Sequence, residues 1–167
     1  IRYPKEIPAG SVNSDLITNL DFAQTWLDWA DLEPEEPMQG ASFRKICNGN
    51  TPVDWKDAMY YRYWMDRDGS HDTTAHYGIR TVGPERKPMK LIYYYADGLD
   101  TPDSNRKLGG TMPDHKPSEH IREWELFDLE KDPFEMNNVY HNPEYKEIVE
   151  ELKDEMHRLQ KEALDEP

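Results

Sequence analysis

Histidine, serine, threonine and acidic side chains gather in one polar segment, residues 67–76, which is the stretch best suited to contact a polar ligand. His71 lies in the part of this segment that is typical of a loop, and His76 begins the strand pattern that follows. An imidazole can donate a hydrogen bond to a hydroxyl group or to a carbonyl oxygen. His71 is expected to be the more exposed of the two, although a single loop histidine is more often incidental than functional.

The same segment does not predict a metal site. His71 and His76 are five residues apart on an extended chain, so their side chains point to opposite faces, and no third ligand is fixed near them or near Asp72. Further acidic residues lie in the polar stretch 97–120, at Asp97, Asp100, Asp103 and Asp114. They lack the Asp-x-Asp-x-Asp-Gly spacing of a calcium loop, and we interpret them as solvated. No metal ligand is therefore assigned.

Aromatic residues form two clusters, whose members are Tyr60, Tyr61, Tyr63 and Trp64 in the first and Tyr93, Tyr94 and Tyr95 in the second. They could form a platform on which sugars stack, but burial within a β-sheet explains them more simply. Arg80 lies in the predicted strand between the two clusters, and Lys90 begins the predicted strand that contains the second cluster. We expect Arg80 and Lys90 to pair with carboxylates across strands rather than to bind an anion.

Four segments have the composition and the turn-rich boundaries of strands: 58–65, 73–81, 90–96 and 123–129. The first has aromatic residues at four of its eight positions, which predicts a central strand buried on both faces. Their connections suit antiparallel pairing, so we expect a four-stranded meander. Two short extended stretches, 1–4 and 16–19, precede these segments.

Two segments predict helices. The first runs from Asp21, the expected N-cap, to Ala30, and its apolar face is predicted to be half-buried through Phe22, Ala23, Trp26, Leu27 and Ala30. The second follows Asn142 as cap and Pro143 at the first helical position. Its apolar positions recur at helical spacing, at Tyr145, Ile148, Val149, Leu152, Met156 and Leu159. Together with the strands, this pattern predicts an α+β fold.

The composition limits the classes of partner. Twenty Lys and Arg against 34 Asp and Glu give a net charge of −14, which repels nucleic acid and anionic lipid surfaces.

The chain has one cysteine, Cys47, which excludes an internal disulfide and a cysteine cluster for zinc. No apolar run approaches the length needed to cross a bilayer. We expect the chain to be part of a longer protein, because Ile1 opens it abruptly without an initiator methionine.

Six segments occur in an order and spacing that resemble the C-terminal third of the type I sulfatases, the formylglycine-dependent, arylsulfatase-like enzymes. They are Arg2-Tyr3-Pro4, residues 19–25 (NLDFAQT), 39–43 (QGASF), 76–81 (HYGIRT), 90–93 (KLIY) and 125–138 (ELFDLEKDPFEMNN). The resemblance is greatest to the bacterial branch that includes N-acetylglucosamine-6-sulfatases and heparan-type sulfatases. A strand followed by Asp-Pro-x-Glu-x-x-Asn before a final helix is the most specific of these features.

The resemblance implies the C-terminal region of an alkaline-phosphatase-like sulfatase fold. Residues 1–50 would supply an edge strand and a helix of the large α/β domain. Residues 51–167 would form a subdomain in which a small four-stranded antiparallel sheet is packed by a long C-terminal helix. The implied partners are the N-terminal catalytic domain of the same protein and a sulfated carbohydrate, with neither nucleic acid nor membrane. By family analogy the protein would be periplasmic or secreted.

The chain lacks the family's catalytic motif, Cys/Ser-x-Pro-x-Arg, because Cys47 is followed by Asn48-Gly49-Asn50 and no serine has the required neighbours. The resemblance therefore implies that formylglycine and calcium belong to an N-terminal part outside this chain, and that the chain alone is inactive. No catalytic residue and no cofactor is assigned within it.

The resemblance also gives the histidine segment a role, because the approach to the His-Tyr-Gly-Ile-Arg-Thr strand lies near the mouth of the active site in such enzymes. His71 and His76 are accordingly the predicted substrate-binding residues. The chain is thus expected to be a fragment of a sulfatase, a sulfuric ester hydrolase, serving as scaffold and substrate rim.

The alternative is a stand-alone, non-catalytic α+β module that binds a protein or a glycan. A third, weaker alternative is a phosphatase or phosphodiesterase parent, because fold alone does not fix the reaction.

Overall fold

The structure is a computed structural model that describes residues 1–64, 73–83, 86–95 and 122–165. Its elements, in chain order, are α1 (Leu20–Trp29), α2 (Arg44–Cys47), β1 (Ala58–Tyr63), β2 (His76–Thr81), β3 (Met89–Tyr94), β4 (Glu123–Asp128), a 3-10 turn (Pro143–Tyr145) and α3 (Lys146–Glu162). The predicted α+β class, with a four-stranded antiparallel sheet and a C-terminal helix, is confirmed. No helix in the described ranges has the length and apolar character required to cross a bilayer.

The chain divides into two compact units. Unit 1 comprises Ile1–Met59 and Val82–Arg86, and unit 2 comprises Tyr60–Thr81 and Lys87–Pro167. The division therefore falls within β1, whereas the sequence places a boundary between residues 50 and 51. Residues 1–50 contain α1 and α2, and near the start Glu6 N and Ile7 N both donate to Tyr3 O and turn the chain. Their assignment to the edge of a large α/β domain stays a prediction.

The sheet is a meander with the strand order β1-β2-β3-β4. β2 and β3 pair from His76 opposite Tyr94 to Arg80 opposite Lys90. β3 and β4 then pair from Met89 opposite Asp128 to the other end of both strands. The prediction that β1 is a central strand was wrong: it lies at an edge, and most of its residues are half-buried.

One face of the sheet forms the core of unit 2. Side chains alternate between faces along a strand, so Ile79 of β2, Leu91 of β3 and Leu126 of β4, which lie side by side, share this face. All three have 0% exposure. Helix α3 lies against β2 and β3 and buries Val149, Leu152 and Met156, as its helical spacing predicts. Asn142 Oδ1 accepts from Glu144 N at 3.1 Å, which confirms the predicted cap.

A buried arginine on this face fixes the end of α3. The Arg62 side chain is 4% exposed and forms an ion pair with Asp165, which follows the helix. Its guanidinium carbon lies 3.9 Å from the centroid of the Trp64 ring. Tyr95 adds a second tie, because its hydroxyl donates to Tyr63 O at 3.1 Å and its backbone N donates to Ala75 O. These bonds hold the ends of β1 and β2 and the helix C-terminus in one arrangement.

The corner between β4 and α3 is held by side chains that accept backbone hydrogen bonds. Asp132 Oδ2 accepts from Met136 N and Asn137 N, both at 2.7 Å. Asn138 Oδ1 accepts from Leu126 N and Tyr140 N, both at 3.0 Å. The Asp-Pro-x-Glu-x-x-Asn motif is therefore a structural corner in this chain.

In unit 1, helix α1 is oriented opposite to the prediction. Its buried side chains are Asp21, Gln24 and Thr25, whereas Phe22 and Trp26 are 37% and 51% exposed. Asp21 is not the cap, because the helix begins one residue earlier and its N-cap, Asn19, forms no side-chain bond. Polar side chains thus face inward and apolar ones face outward on this helix.

The carboxylate of Asp21 joins four parts of unit 1 and is fully buried. It accepts hydrogen bonds from Thr18 N at 2.6 Å, from Ala41 N at 3.0 Å and from the ammonium of Lys56. Burial opposes ionisation, but the bonds from Lys56, Thr18 and Ala41 outweigh it and lower the pKa of Asp21. The ion pair is therefore an internal tie of this unit.

We expect Asp21→Asn to lower the free energy of unfolding by about 2 kcal/mol at neutral pH, because it removes a charge-assisted bond to Lys56. Since folding lowers the pKa of Asp21, its contribution is fully present above the unfolded value and is lost as the pH falls through the folded value. The difference between wild type and variant should accordingly shrink below about pH 5. Denaturant titrations followed by tryptophan fluorescence measure it, with the exposed Asp54→Asn as control. A difference that is constant with pH would contradict the assignment.

Candidate functional site

The face of the sheet opposite α3 carries polar and aromatic side chains, and we call it the tyrosine face. Pairing places His76 opposite Tyr94, Gly78 opposite Ile92 and Arg80 opposite Lys90. The face comprises Tyr61 and Tyr63 of β1, His76, Gly78 and Arg80 of β2, Lys90, Ile92 and Tyr94 of β3, and Glu123 and Glu125 of β4. The strands that position the tyrosine face are the same strands whose opposite face forms the core of unit 2.

Three tyrosine rings surround the imidazole of His76. The ring of Tyr63 is stacked on it with centroids 5.5 Å apart, and that of Tyr94 is tilted at 5.2 Å. Tyr61 presents an edge at 5.9 Å. His76 remains partly exposed among them. The arrangement fixes the plane of the imidazole and leaves an aromatic, half-buried surface around it.

The tautomer of the neutral His76 ring follows from its hydrogen bond. Its Nδ1 lies 2.7 Å from Thr74 O. A carbonyl oxygen only accepts, so Nδ1 carries the hydrogen, and in the neutral ring Nε2 is an acceptor. Among the described residues, nothing hydrogen-bonds to Nε2. The site therefore offers an oriented acceptor that suits a hydroxyl group.

Beside this histidine, Tyr61 lies across β2 at Gly78. A Cβ at position 78 would be 2.9 Å from the Tyr61 hydroxyl and 2.4 Å from Leu91 O, so only glycine leaves room for the ring. The Tyr61 hydroxyl is buried and has no hydrogen-bond partner in the described part of the chain. Burial, aided by Tyr94 and nearby carboxylates, raises the pKa of Tyr61 well above its usual range. The phenol therefore stays protonated and is an unused donor.

The neighbouring phenol, Tyr94, is held differently. Burial, together with the charge and hydrogen bond of Glu125, raises the pKa of Tyr94 to about 12. Tyr94 thus remains a neutral donor to Glu125 at physiological pH. A ligand on this face would meet phenol donors, carboxylate acceptors and one imidazole acceptor, which is the mixture that polyhydroxylated ligands use.

The two predicted site residues have different outcomes. His76 lies on the tyrosine face, whereas His71 lies outside the described residues. Lys90 pairs with Glu135 at 2.6 Å, a residue of the corner loop rather than of a neighbouring strand. Arg80 is exposed and, within the described ranges, has no carboxylate partner, so the expected cross-strand pair is absent. In the described residues no three His, Cys, Asp or Glu side chains are grouped to hold a metal.

The aromatic clusters divide between the two sides of the sheet. Tyr61, Tyr63 and Tyr94 belong to the tyrosine face, while Tyr77 contacts Tyr60, Tyr93 and Tyr95 on the side of α3. Sequence reasoning missed the role of Gly78 and Tyr61. A glycine within a strand pattern signals close approach by another group, and that signal could have identified the contact.

Comparison with known proteins identifies related chains. Residues 1–102 and 116–162 match the family described as N-sulphoglucosamine sulphohydrolase, C-terminal. An N-acetylglucosamine-6-O-sulfatase of Bacteroides thetaiotaomicron is 37% identical over 99% of this chain and 25% of its own length. An ulvan-active sulfatase of Formosa agariphila is 29% identical over 95% of this chain and 27% of its own.

A solved structure shares the fold. The structure of BT4656 in complex with its substrate, D-glucosamine-2-N,6-O-disulfate, is 36% identical in sequence and superimposes with a TM-score of 0.76. The match covers 98% of this chain and 28% of that one. The chain thus spans about a quarter of the length of the curated relatives that it matches.

We expect nitrogen NMR of the 167-residue chain to show His76 as the Nδ1–H tautomer when the imidazole is neutral, because Thr74 O can only accept. Two-bond couplings between the ring nitrogens and carbons distinguish the tautomers. His157, which lies on α3 and is exposed, provides the internal comparison. Finding the Nε2–H tautomer at His76 would contradict the geometry.

Proposed function

This chain belongs to the family of the C-terminal domain of N-sulphoglucosamine sulphohydrolase, and we propose that it is the C-terminal part of a sulfatase that hydrolyses sulfate esters of carbohydrates. The observation that carries the proposal is its similarity to an N-acetylglucosamine-6-O-sulfatase along 99% of its length. A solved neighbour that superimposes on 98% of this chain was determined in complex with disulfated glucosamine, which supports the same class of substrate.

Within that enzyme the tyrosine face forms part of the substrate rim. His76 Nε2 accepts a hydrogen bond from a sugar hydroxyl, and the surrounding tyrosines supply apolar contact. His71, which precedes β2, is the second substrate residue of the rim. Both roles are binding roles, because no group on this face is arranged to attack sulfur.

Catalysis belongs to a preceding part of the same protein. The chain contains no Cys/Ser-x-Pro-x-Arg motif, and its described residues hold no metal cluster, so neither formylglycine nor calcium fits here. Both belong to the catalytic domain, where hydrated formylglycine would be the nucleophile and the cation would polarise the sulfate. This chain contributes scaffold and rim.

We assign residues 1–50 to the edge of that catalytic domain. The surface of unit 1 is suited to contact the rest of the domain. Helix α1 presents Phe22 and Trp26 outward, and Val12 is 92% exposed. Beside them lies a cavity of about 340 Å³ with a largely apolar lining that includes Ile1, Phe43 and Cys47. Apolar surface of this kind marks a protein contact. The alternative of a stand-alone, non-catalytic binding module is disfavoured, because such a module would turn the apolar side of α1 inward.

We predict that the whole protein releases the 6-O-sulfate of N-sulfated or N-acetylated glucosamine, and that the 167-residue chain alone releases none. In the whole protein, His76→Ala should raise KM about tenfold with little change in kcat, because it removes a hydrogen bond that ground and transition states share. Sulfate release measured by ion chromatography tests both points, with the exposed His157→Ala as control. Turnover by the chain alone would contradict the assignment of catalysis.

We predict that Cys47 reacts with a maleimide in the isolated chain and is protected in the whole protein, because the catalytic domain covers the cavity that Cys47 lines. Mass spectrometry of the peptide containing Cys47 gives the extent of labelling. Unfolded whole protein, in which the thiol must react, is the control. Equal labelling of both native forms would show that the cavity is not part of the contact.

A further inference from the structure

Arg80 and Tyr61 are two unused hydrogen-bond donors on the tyrosine face. Arg80 is exposed and, in the part of the chain that the structure describes, forms no ion pair. The Tyr61 hydroxyl is buried and likewise has no partner there. Buried polar groups of native proteins are almost always hydrogen-bonded, so an unused buried donor calls for an acceptor.

The two donors lie close together because of Gly78. Tyr61 crosses β2 over this glycine, with its hydroxyl 2.9 Å from the position of the missing Cβ. Arg80 follows two residues later in β2, and its side chain therefore emerges on the same face, roughly 7 Å along the strand. The guanidinium can reach back over the phenol.

Two cations lie side by side at this point of the sheet. Arg80 is directly opposite Lys90 in the sheet, and like charges in that position destabilise a strand pair. Glu135 pairs with Lys90, whereas Arg80 has no ion pair with any of the described residues. An arginine without such a partner is notable in a chain of net charge −14, where carboxylates outnumber cations.

A phenol donor beside a guanidinium fork is a receptor for an oxyanion. Arginine presents parallel N–H groups that match two oxygens of a sulfate or a carboxylate, and a hydroxyl supplies a third bond. Resting on the proposed function, we propose that Arg80 and Tyr61 bind a second sulfate group of the carbohydrate substrate, one that is not hydrolysed.

The proposal also says which sugar carries this sulfate. Arg80 lies four residues beyond His76 on one strand, so their Cα atoms are roughly 13 Å apart. Tyr61 and Gly78 lie between them. The proposal places the sulfate on the sugar next to the one that contacts His76, so the preferred substrate is a sulfated oligosaccharide rather than a monosaccharide.

The test compares two substrates of the whole protein that share the scissile ester. One is N,6-O-disulfated glucosamine, and the other is a sulfated heparan-type tetrasaccharide that ends in the same sugar. Arg80→Gln and Tyr61→Phe should each raise KM for the tetrasaccharide, about tenfold for Arg80→Gln, with kcat unchanged. KM for the monosaccharide should change less than about twofold. Lys161→Gln, which removes an exposed positive charge of α3 on the other side of the sheet, is the control and should change neither.

Four results overturn the proposal. Unchanged KM for the tetrasaccharide shows that Arg80 does not bind it. Equal losses with both substrates show that Arg80 does not recognise a sulfate of a neighbouring sugar. A melting temperature lowered in Arg80→Gln but not in Lys161→Gln shows that Arg80 instead pairs with a carboxylate of the protein itself. Equal binding of the desulfated tetrasaccharide shows that no sulfate is recognised.

If the wild-type protein hydrolyses neither substrate, the proposed function fails, and calorimetry still decides the binding site. Wild type should then bind the sulfated tetrasaccharide, and Arg80→Gln should bind it about tenfold more weakly. Inorganic sulfate and acetate, titrated separately, report whether an isolated sulfate or carboxylate suffices. Equal affinity of wild type and Arg80→Gln for the tetrasaccharide overturns the site whatever the catalytic result.

Discussion

Burial of one side of the sheet under α3 determines what the other side can present. Ile79, Leu91 and Leu126 form a fully buried row against the helix, and strand alternation then forces their neighbours His76, Gly78 and Arg80 onto the opposite face. A shift of one residue in β2 would exchange the two sets. The hydrophobic core therefore sets the register of the candidate site, although His76, Gly78 and Arg80 lie on the other face of the sheet.

Unit 1 buries polar groups and exposes apolar ones, which is why we interpret it as part of a larger domain. Its buried centre is an ion pair with hydrogen-bonded surroundings, Asp21 with Lys56, and its helix turns Phe22 and Trp26 outward. Burying an ion pair gives little net stability, whereas burying two aromatic rings gives several kcal/mol, roughly 2 each. In a domain that folds independently, the apolar side of α1 would be buried. This unit is therefore suited to share its apolar surface with another domain.

The elements dominated by local pattern were predictable from the sequence. The four strands and α3 lie within or close to their predicted ranges, because their turn residues and apolar spacing act over a few positions, as Asn142 and Pro143 show at the start of the final helix. Features set by distant parts of the chain were not predictable. The edge position of β1 depends on which strand lacks a neighbour, and the burial of Asp21 depends on Lys56, which lies 35 residues away. His76 could be named from its place in the resembling motif. The position of the Tyr61 hydroxyl, which has no partner among the described residues, depends on the side chain that Gly78 lacks.

The claim that this chain completes a larger carbohydrate sulfatase is tested most directly by reading the native coding sequence immediately upstream of the Ile1 codon. The account predicts that the reading frame continues for several times the length of this chain, since the chain spans about a quarter of its relatives, and that it encodes Cys/Ser-x-Pro-x-Arg. A start codon directly preceding Ile1, after a stop codon in the same frame, would contradict it and would identify the chain as a module that acts alone.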